Sequence, residues 1–183
     1  LNNSRTDTST QLGGWVAANP WLATGSARVI LNEVNSTNPS YLNGWVEVAG
    51  SRAQVIIANP AGLSCNGCGF INASKTTLAT GTPNVKSGSL ESYHIPAGEL
   101  RIEGLGLDAR QTDALTILAR SAQVNAAIWA QRLKVITGKN SNMLPQVRFA
   151  HPLGKGWCRN REGNNRKNRS QNKAHLTPLQ AKR

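Results

Sequence analysis

The sequence is poor in aromatic residues and in acids, and it contains no long apolar run. Aromatic side chains make up 5% of its 183 residues, and three cysteines are present. No stretch approaches the ~20 consecutive apolar residues of a membrane-spanning helix, and 17 glycines with 8 prolines are more than a helical bundle usually carries. These features disfavour a transmembrane protein and a coiled coil, and the length favours one domain, with or without a tail.

The scarcity of acids gives the chain a formal net charge of +12, and most of that charge lies at its C-terminal end. Residues 151–183 contain one acid, Glu162, and nine basic residues: Lys155, Arg159, Arg161, Arg166, Lys167, Arg169, Lys173, Lys182 and Arg183. This segment therefore carries a net charge of +8, against +4 for residues 1–150. Between Trp157 and Lys173 it shows neither helical nor strand periodicity, which predicts a disordered basic tail.

Such a tail would attract nucleic acid or an anionic membrane surface by counterion release. A solvated charge run is the simpler interpretation. No aromatic residues interleave the basic run, so it lacks the stacking platforms that bind single strands. Non-specific nucleic-acid binding by the tail is therefore a lesser hypothesis, and no specific nucleic-acid partner is expected.

Short strands are predicted from Ala27 to Gly81. Runs of about five to eight β-forming residues end there at Asn, Gly or Pro, as strands end at turns. The runs are ARVILNEV, NGWVEVAG, AQVIIANP and GFINASKTTLATGTP. In Trp45–Ala49 the acid Glu47 alternates with valine neighbours, as in a strand buried on one face. This pattern predicts an all-β fold.

The stretch Asp113–Thr137 is ambiguous on its residues alone. It is rich in Ala, Leu, Gln and Arg, which favour a helix. Its apolar residues also alternate with period 2, and Asn125 lies between two such runs where a corner residue would stand. Helix and strands are equally good interpretations here.

Cys65 and Cys68 form a CxxC motif between a Gly-rich turn and a strand-like run. A thioredoxin-type redox site would need a helix N-terminus in a βαβ setting. A zinc site would need four ligands, and the remaining candidates are scattered: Cys158, His94, His151 and His175. A disulfide that staples the local loop is the favoured interpretation, and reduced thiols, a redox pair or a metal site stay open.

No catalytic constellation is evident. The segment Gly104–Ala109 matches a dinucleotide-binding GxGxxA fingerprint, but no acid follows between Asp113 and Glu162 to bind a ribose. We interpret these glycines as turn positions between strands. The five acids from Glu91 to Asp113 are explained by solvated faces, so an enzyme, a metal site and a cofactor are not expected.

Residues 11–83 closely resemble the N-terminal secretion domain of filamentous-haemagglutinin-like exoproteins of two-partner secretion systems, a class that includes adhesins and contact-dependent growth inhibition toxins. The NPAG element followed by CNGCGFIN carries much of the likeness, which continues through Gly138. The resemblance implies a right-handed parallel β-helix over residues 1–140, with an N-terminal cap and extra-helical β-hairpins. It also implies that Asp113–Thr137 consists of strands, and that residues 141–183 are a tail foreign to the domain.

In this family the domain is a secretion signal that a partner outer-membrane transporter recognises through its periplasmic domains. Two turn motifs of this chain match the family's recognition elements. Asn59, Pro60, Ala61 and Gly62 correspond to the NPNG element, with Ala61 as a departure. Asn19, Pro20, Trp21 and Leu22 correspond to the NPNL element, with Trp21 in place of Asn. Because Asn-Pro also initiates turns, each motif is a candidate for recognition or for shaping its own rung.

The resemblance implies a non-catalytic, secreted or cell-surface protein that reaches the surface through the periplasm and contributes to adhesion to host or neighbouring cells. The alternative is the N-terminal delivery part of a contact-dependent growth inhibition toxin. No signal peptide precedes Asn2 in this chain, so we expect it to have been removed or to lie outside a fragment. A shifted reading frame near residues 140–155 would account for the basic tail.

Overall fold

The structure is a computed structural model that describes residues 1–86 and 88–139. The regular elements of these two segments are β-strands, without a helix of the length and apolarity needed to cross a membrane. The strands are β1 (Asn2–Asn3), β2 (Thr8–Thr10), β3 (Gly14–Val16), β4 (Val29–Glu33), β5 (Ser40–Leu42), β6 (Trp45–Glu47), β7 (Ala49–Gly50), β8 (Ala53–Ala58), β9 (Leu63–Ile71), β10 (Ala73–Ala79), β11 (Thr82–Lys86), β12 (Ser89–His94), β13 (Glu99–Ala109), β14 (Ala114–Ala119), β15 (Ser121–Val124), β16 (Ile128–Ala130) and β17 (Leu133–Thr137). The predicted all-β class is confirmed, and the predicted tail at 141–183 lies outside the described residues.

Most of these strands stack in two parallel sheets through which the chain winds repeatedly. One sheet has the order β17-β14-β10-β8-β4. In the other the order is β15-β13-β9-β5, and β6 and β16 pair with the C-terminal parts of the long strands β9 and β13. We call one turn of the chain through both sheets a rung: β4 to β6, β8 to β9, β10 to β13, and β14 to β16, with β17 beginning the next. This winding is the parallel β-helix that the resemblance implies.

Aliphatic side chains that alternate along each strand fill the interior of the β-helix. Ile57, Leu78 and Ile117 are in register on three neighbouring strands, and none is more than 6% exposed. Burial of each such side chain contributes about 1.5–3 kcal/mol, so these columns hold the rungs together. Thr76 is a polar exception, because its buried hydroxyl has no hydrogen-bond partner within the described part of the chain.

A second core lies outside the β-helix, under the antiparallel hairpin of β11 and β12. The hairpin is inserted between β10 and β13 and packs Tyr93 and Ile95 against Ile56 and Leu118 on the outer face of the first sheet. Burial raises the pKa of the Tyr93 hydroxyl above its ordinary value. Because β8 is covered on both faces, its sequence is a nearly continuous apolar run rather than an alternating one.

An N-terminal cap precedes the first rung. Strand β1 pairs with β7, and the side chain of Asn3, 1% exposed, donates to the carbonyl oxygens of Ala27 and Ser51 at 2.9 and 2.8 Å. The antiparallel hairpin of β2 and β3 is anchored by Glu47, whose carboxylate accepts hydrogen bonds from the backbone N–H groups of Gln11 and Leu12, both at 2.8 Å. The expected cap and extra-helical hairpins are therefore present.

The ambiguous segment Asp113–Thr137 consists of strands β14 to β17, as the resemblance implies. Asn125 lies at the corner between β15 and β16, and its backbone N–H donates to the carbonyl of Ile102 on the preceding rung at 2.8 Å. Pairing of β14 with β10 over five residues outweighs the helix propensity of the segment.

The last described strand leaves core positions uncovered. Leu133 and Val135 are in register with the buried Leu115 and Ile117 on the preceding strand. They are nevertheless 47% and 46% exposed. The cap therefore closes one end of the described stack, whereas the other end presents apolar side chains in register with the core.

Candidate functional site

The first Asn-Pro motif, Asn19–Leu22, forms a turn in the loop between β3 and β4 that is clamped to the cap. The side-chain oxygen of Asn19 accepts a hydrogen bond from the backbone N–H of Trp21 at 3.0 Å, and its carbonyl oxygen accepts one from Leu22 at 3.2 Å. Asn19 also donates to β1 and the residue after it: its side-chain amide to the Asn2 carbonyl at 2.9 Å and its backbone N–H to the Ser4 carbonyl at 2.8 Å. Asn19 therefore fixes both the turn and its position on the cap.

Trp21 stands at the tip of this clamped turn and is 90% exposed. A side chain with that exposure contributes almost nothing to the fold through burial. Large aromatic residues are the ones that most often carry the binding energy of protein interfaces. The turn thus fixes the backbone of Trp21 and leaves its indole ring exposed to solvent.

The second motif, Asn59–Gly62, connects β8 to β9 and differs from the first because its asparagine is fully buried. The Asn59 amide donates to the Asn38 carbonyl at 3.0 Å and to the Ser40 hydroxyl at 2.8 Å, both on the preceding rung. Its oxygen accepts from the backbone N–H of Ala61 at 2.9 Å, and its own N–H donates to the Ala79 carbonyl on the next rung at 2.9 Å. Asn59 therefore ties three rungs together at one corner.

The other residues of the second motif differ in their exposure at this corner. Pro60 and Ala61 are half-buried, whereas Gly62 is buried with a φ of 123°, and a Cβ there would lie 3.0 Å from the carbonyl oxygen of Glu99. Ala61 and Gly62 line a groove of about 310 Å³ beside Arg101. The Arg101 Nε atom donates to Glu99 at 2.7 Å, which raises the pKa of the guanidinium. The groove lining thus contains this ion pair and a second acid, Glu103, which gives it more acidic than basic side chains.

The structure places the two motifs on different parts of the domain, one on the cap and one between rungs. No hydrogen bond within residues 1–86 and 88–139 joins them. They share the same local geometry, in which an asparagine side chain caps a proline-containing turn. Sequence alone could not distinguish the exposed first turn from the buried asparagine of the second, because the turn chemistry is identical.

In the structure Cys65 and Cys68 are joined as a disulfide at the bend of β9, with a Cα–Cα distance of 5.4 Å. Both are buried, and the Cys65 sulfur lies 3.3 Å from the carbonyl oxygen of Gly106 on the next rung. Their stapling role stays a prediction. Gly104 and Gly106 have positive φ values of 56° and 75° and form the matching bend of β13. They therefore lie inside one strand rather than between strands, and no helix follows them.

The described residues contain no group of three or more His, Cys, Asp or Glu side chains that could hold a metal ion. What the sequence did not reveal is a set of exposed aromatic side chains on the cap and on the outer faces of the rungs. Apart from Trp21 they are Trp15 (72% exposed), Tyr41 (69%), Trp45 (41%) and Trp129 (43%). Five of the seven aromatic residues in the described part of the chain are exposed, and no pattern in the sequence distinguished them from buried ones.

A family model described as "TPS secretion domain" matches residues 1–181. The chain is 54% identical over 151 residues to "Toxin CdiA" of Yersinia pestis and 46% identical over 142 residues to "tRNA nuclease CdiA-2" of Burkholderia pseudomallei. These alignments cover 82% and 76% of this chain but 4% of each relative. The chain thus spans a small part of the length of the relatives it matches.

A solved structure is also similar. The crystal structure of a filamentous hemagglutinin secretion domain superimposes with a TM-score of 0.70 at 36% sequence identity. The match covers 76% of this chain and 48% of the other. It extends the likeness from sequence to the arrangement of rungs.

Proposed function

Because this chain belongs to the family of TPS secretion domains, which act as non-catalytic secretion signals of exoproteins exported by a partner outer-membrane transporter, we propose that Trp21 and its turn are a contact site for that transporter. The observation that carries the proposal is the 90% exposure of an indole ring on a turn held by four hydrogen bonds of Asn19. A clamped turn loses little conformational entropy when a partner binds it. The contact is made by the periplasmic domains of the transporter, before the chain crosses the outer membrane.

The second motif has a different part in this proposal. Asn59 maintains the corner of three rungs, and Pro60, Ala61 and the neighbouring groove form the surface that the transporter can reach. Loss of secretion after substitution of Asn59 would therefore reflect a damaged fold, whereas loss after substitution of Trp21 would reflect lost recognition.

The test compares three variants of the full chain, co-expressed with a cognate transporter and provided with a signal peptide. Trp21→Ala should abolish or strongly reduce the amount of protein in the culture supernatant while the unfolding midpoint stays unchanged. Trp15→Ala is the matched control, because it removes another exposed tryptophan of the cap, 72% exposed. Secretion of Trp21→Ala at the level of the unmodified chain would refute the recognition role. Pro60→Ala tests the second motif in the same assay.

We propose that the secreted protein contributes to adhesion at host or neighbouring cell surfaces, as the similarity to a filamentous hemagglutinin secretion domain supports. Toxin delivery is the second candidate, and the 54% identity to a protein named Toxin CdiA favours it. Sequencing the gene region downstream of this chain distinguishes a long repetitive shaft alone from a shaft that ends in a toxin domain.

The basic segment 151–183 supports a lesser candidate, non-specific nucleic-acid binding. Its net charge of +8 predicts an affinity that falls steeply with salt. Deletion of residues 151–183 should abolish retention on a DNA column. Retention that persists after the deletion would contradict this candidate.

A further inference from the structure

The disulfide between Cys65 and Cys68 lies inside the core of the β-helix. The two residues are 0% and 2% exposed and belong to the main hydrophobic cluster. Between them the chain turns toward the surface, where Asn66 is exposed and Gly67 is half-buried. The two sulfur atoms are therefore enclosed in the folded domain, although the turn that joins them is not.

Strands on both sides of β9 form this enclosure. Cys65 is in register with Leu42 on β5 and with Ile102 on β13, and Cys68 is in register with Leu107 on β13. Ile102 and Leu107 are fully buried in the same cluster. Along the chain, β10 and the hairpin of β11 and β12 come between β9 and β13. The strand that covers the CxxC motif on this side is therefore separated from it by three other strands.

Two reduced thiols at these positions would react poorly in the folded domain. The nucleophile in disulfide formation is the charged thiolate, which burial in apolar surroundings disfavours. The Cys65 sulfur also lies 3.3 Å from the carbonyl oxygen of Gly106, whose partial negative charge opposes ionisation. A thiolate must in addition reach a sulfur atom of the oxidant, and Ile102 and Leu107 occupy the neighbouring core positions. Folding of the reduced chain would thus protect both thiols from oxidation.

We propose that the Cys65–Cys68 disulfide is formed by thiol–disulfide exchange on the open chain, before β13 pairs with β9. One thiolate attacks an oxidant that carries a reactive disulfide, which gives a mixed disulfide and releases one thiol of the oxidant. The other thiolate then forms the Cys65–Cys68 bond and displaces the second thiol, so that two electrons and two protons pass from the cysteine pair to the oxidant. A dithiol oxidation must therefore precede completion of the third rung, β10 to β13. This order of events does not depend on the transporter contact at Trp21.

The test compares oxidation of the folded and the unfolded reduced chain. The full chain carries two substitutions: Cys158→Ser removes the third cysteine, and Thr37→Cys adds an exposed thiol in the loop between β4 and β5 as an internal control. One sample is refolded without oxidant, checked by circular dichroism and treated with oxidised glutathione. A second sample receives the same oxidant in urea. Alkylation and peptide mass spectrometry then follow the remaining thiol at each position over time.

Rates are divided by the rate of the thiol introduced by Thr37→Cys in the same sample, which removes the effect of urea on the exchange itself. On this scale the Cys65–Cys68 pair should be oxidised at least about a hundredfold more slowly in the folded sample than in urea, because core positions become accessible only through rare opening. In the same folded sample the introduced thiol should react fully.

The proposal is overturned if the pair in the folded sample is oxidised within about tenfold of its relative rate in urea. It is also overturned if the open chain does not form the Cys65–Cys68 bond in urea. A reduced chain that stays unfolded until the pair is oxidised would support the same order of events, because oxidation then precedes folding directly.

Discussion

Asn59→Ala should destabilise the domain by about 3 kcal/mol. The substitution removes three side-chain hydrogen bonds of a fully buried residue, to the Asn38 carbonyl, the Ser40 hydroxyl and the Ala61 N–H. Each is worth about 0.5–1.5 kcal/mol net, and their partners are partly able to bind water after the change. Against a total stability of about 5–15 kcal/mol this is a large loss. For a domain of this size it corresponds to a fall of roughly 6–12 °C in Tm.

The assay is urea-induced unfolding followed by circular dichroism, with Asn38→Ala as the matched control. Asn38 is exposed, and the bond to Asn59 uses its backbone carbonyl, which alanine retains. The control should change stability by less than about 0.5 kcal/mol. Asn59→Asp keeps the acceptor for Ala61 but loses both donated bonds, so most of the destabilisation should persist. An Asn59→Ala midpoint equal to that of the unmodified chain would refute the structural role and leave Asn59 free for recognition.

Three further predictions concern other parts of the domain. Thr76→Val should raise the free energy of unfolding by about 1 kcal/mol, because it removes a buried hydroxyl without a partner; a lower unfolding midpoint would contradict this. Replacing both Cys65 and Cys68 by serine should cost about 2 kcal/mol, as expected for a short closed loop, and in the unmodified chain neither should react with iodoacetamide in denaturant without reductant. Hydrogen bonding from Arg110 lowers the pKa of Asp108. The stability that this carboxylate adds is therefore present above its unfolded pKa of about 4 and is lost as pH falls through the lower folded value. Denaturation midpoints measured across the acid range should therefore fall less steeply with falling pH for Asp108→Asn than for the unmodified chain.

Short strands were predictable where side-chain pattern and turn chemistry agree, whereas their winding into a parallel β-helix was implied by the family resemblance. The runs that became β4, β8 and β10 end at Asn, Gly or Pro residues, which stand at the corners of the rungs. The segment that became β14 to β17 was not decided by its own residues, because its Ala, Leu and Gln content favours a helix and its alternation favours strands. The preceding rung, which supplies a parallel strand to pair with, decides it.

The second core was not predictable from local pattern. The run AQVIIANP reads as a buried strand, but nothing in it indicates that the cover on its outer face comes from Tyr93 and Ile95, more than thirty residues later. For the candidate site, the sequence singled out both Asn-Pro motifs. The sequence could not show that Asn59 is buried and Trp21 exposed, because burial depends on which neighbouring rung or strand each turn packs against.

The two ends of the described stack differ in their capacity to pair with a further strand. A further strand laid on β17 would cover Leu133 and Val135, each gaining roughly 1 kcal/mol from burial of its exposed half. At the opposite end the cap has already used its backbone and side-chain groups on β7 and the first rung. A further strand can therefore extend the described stack beside β17 and not beside the cap.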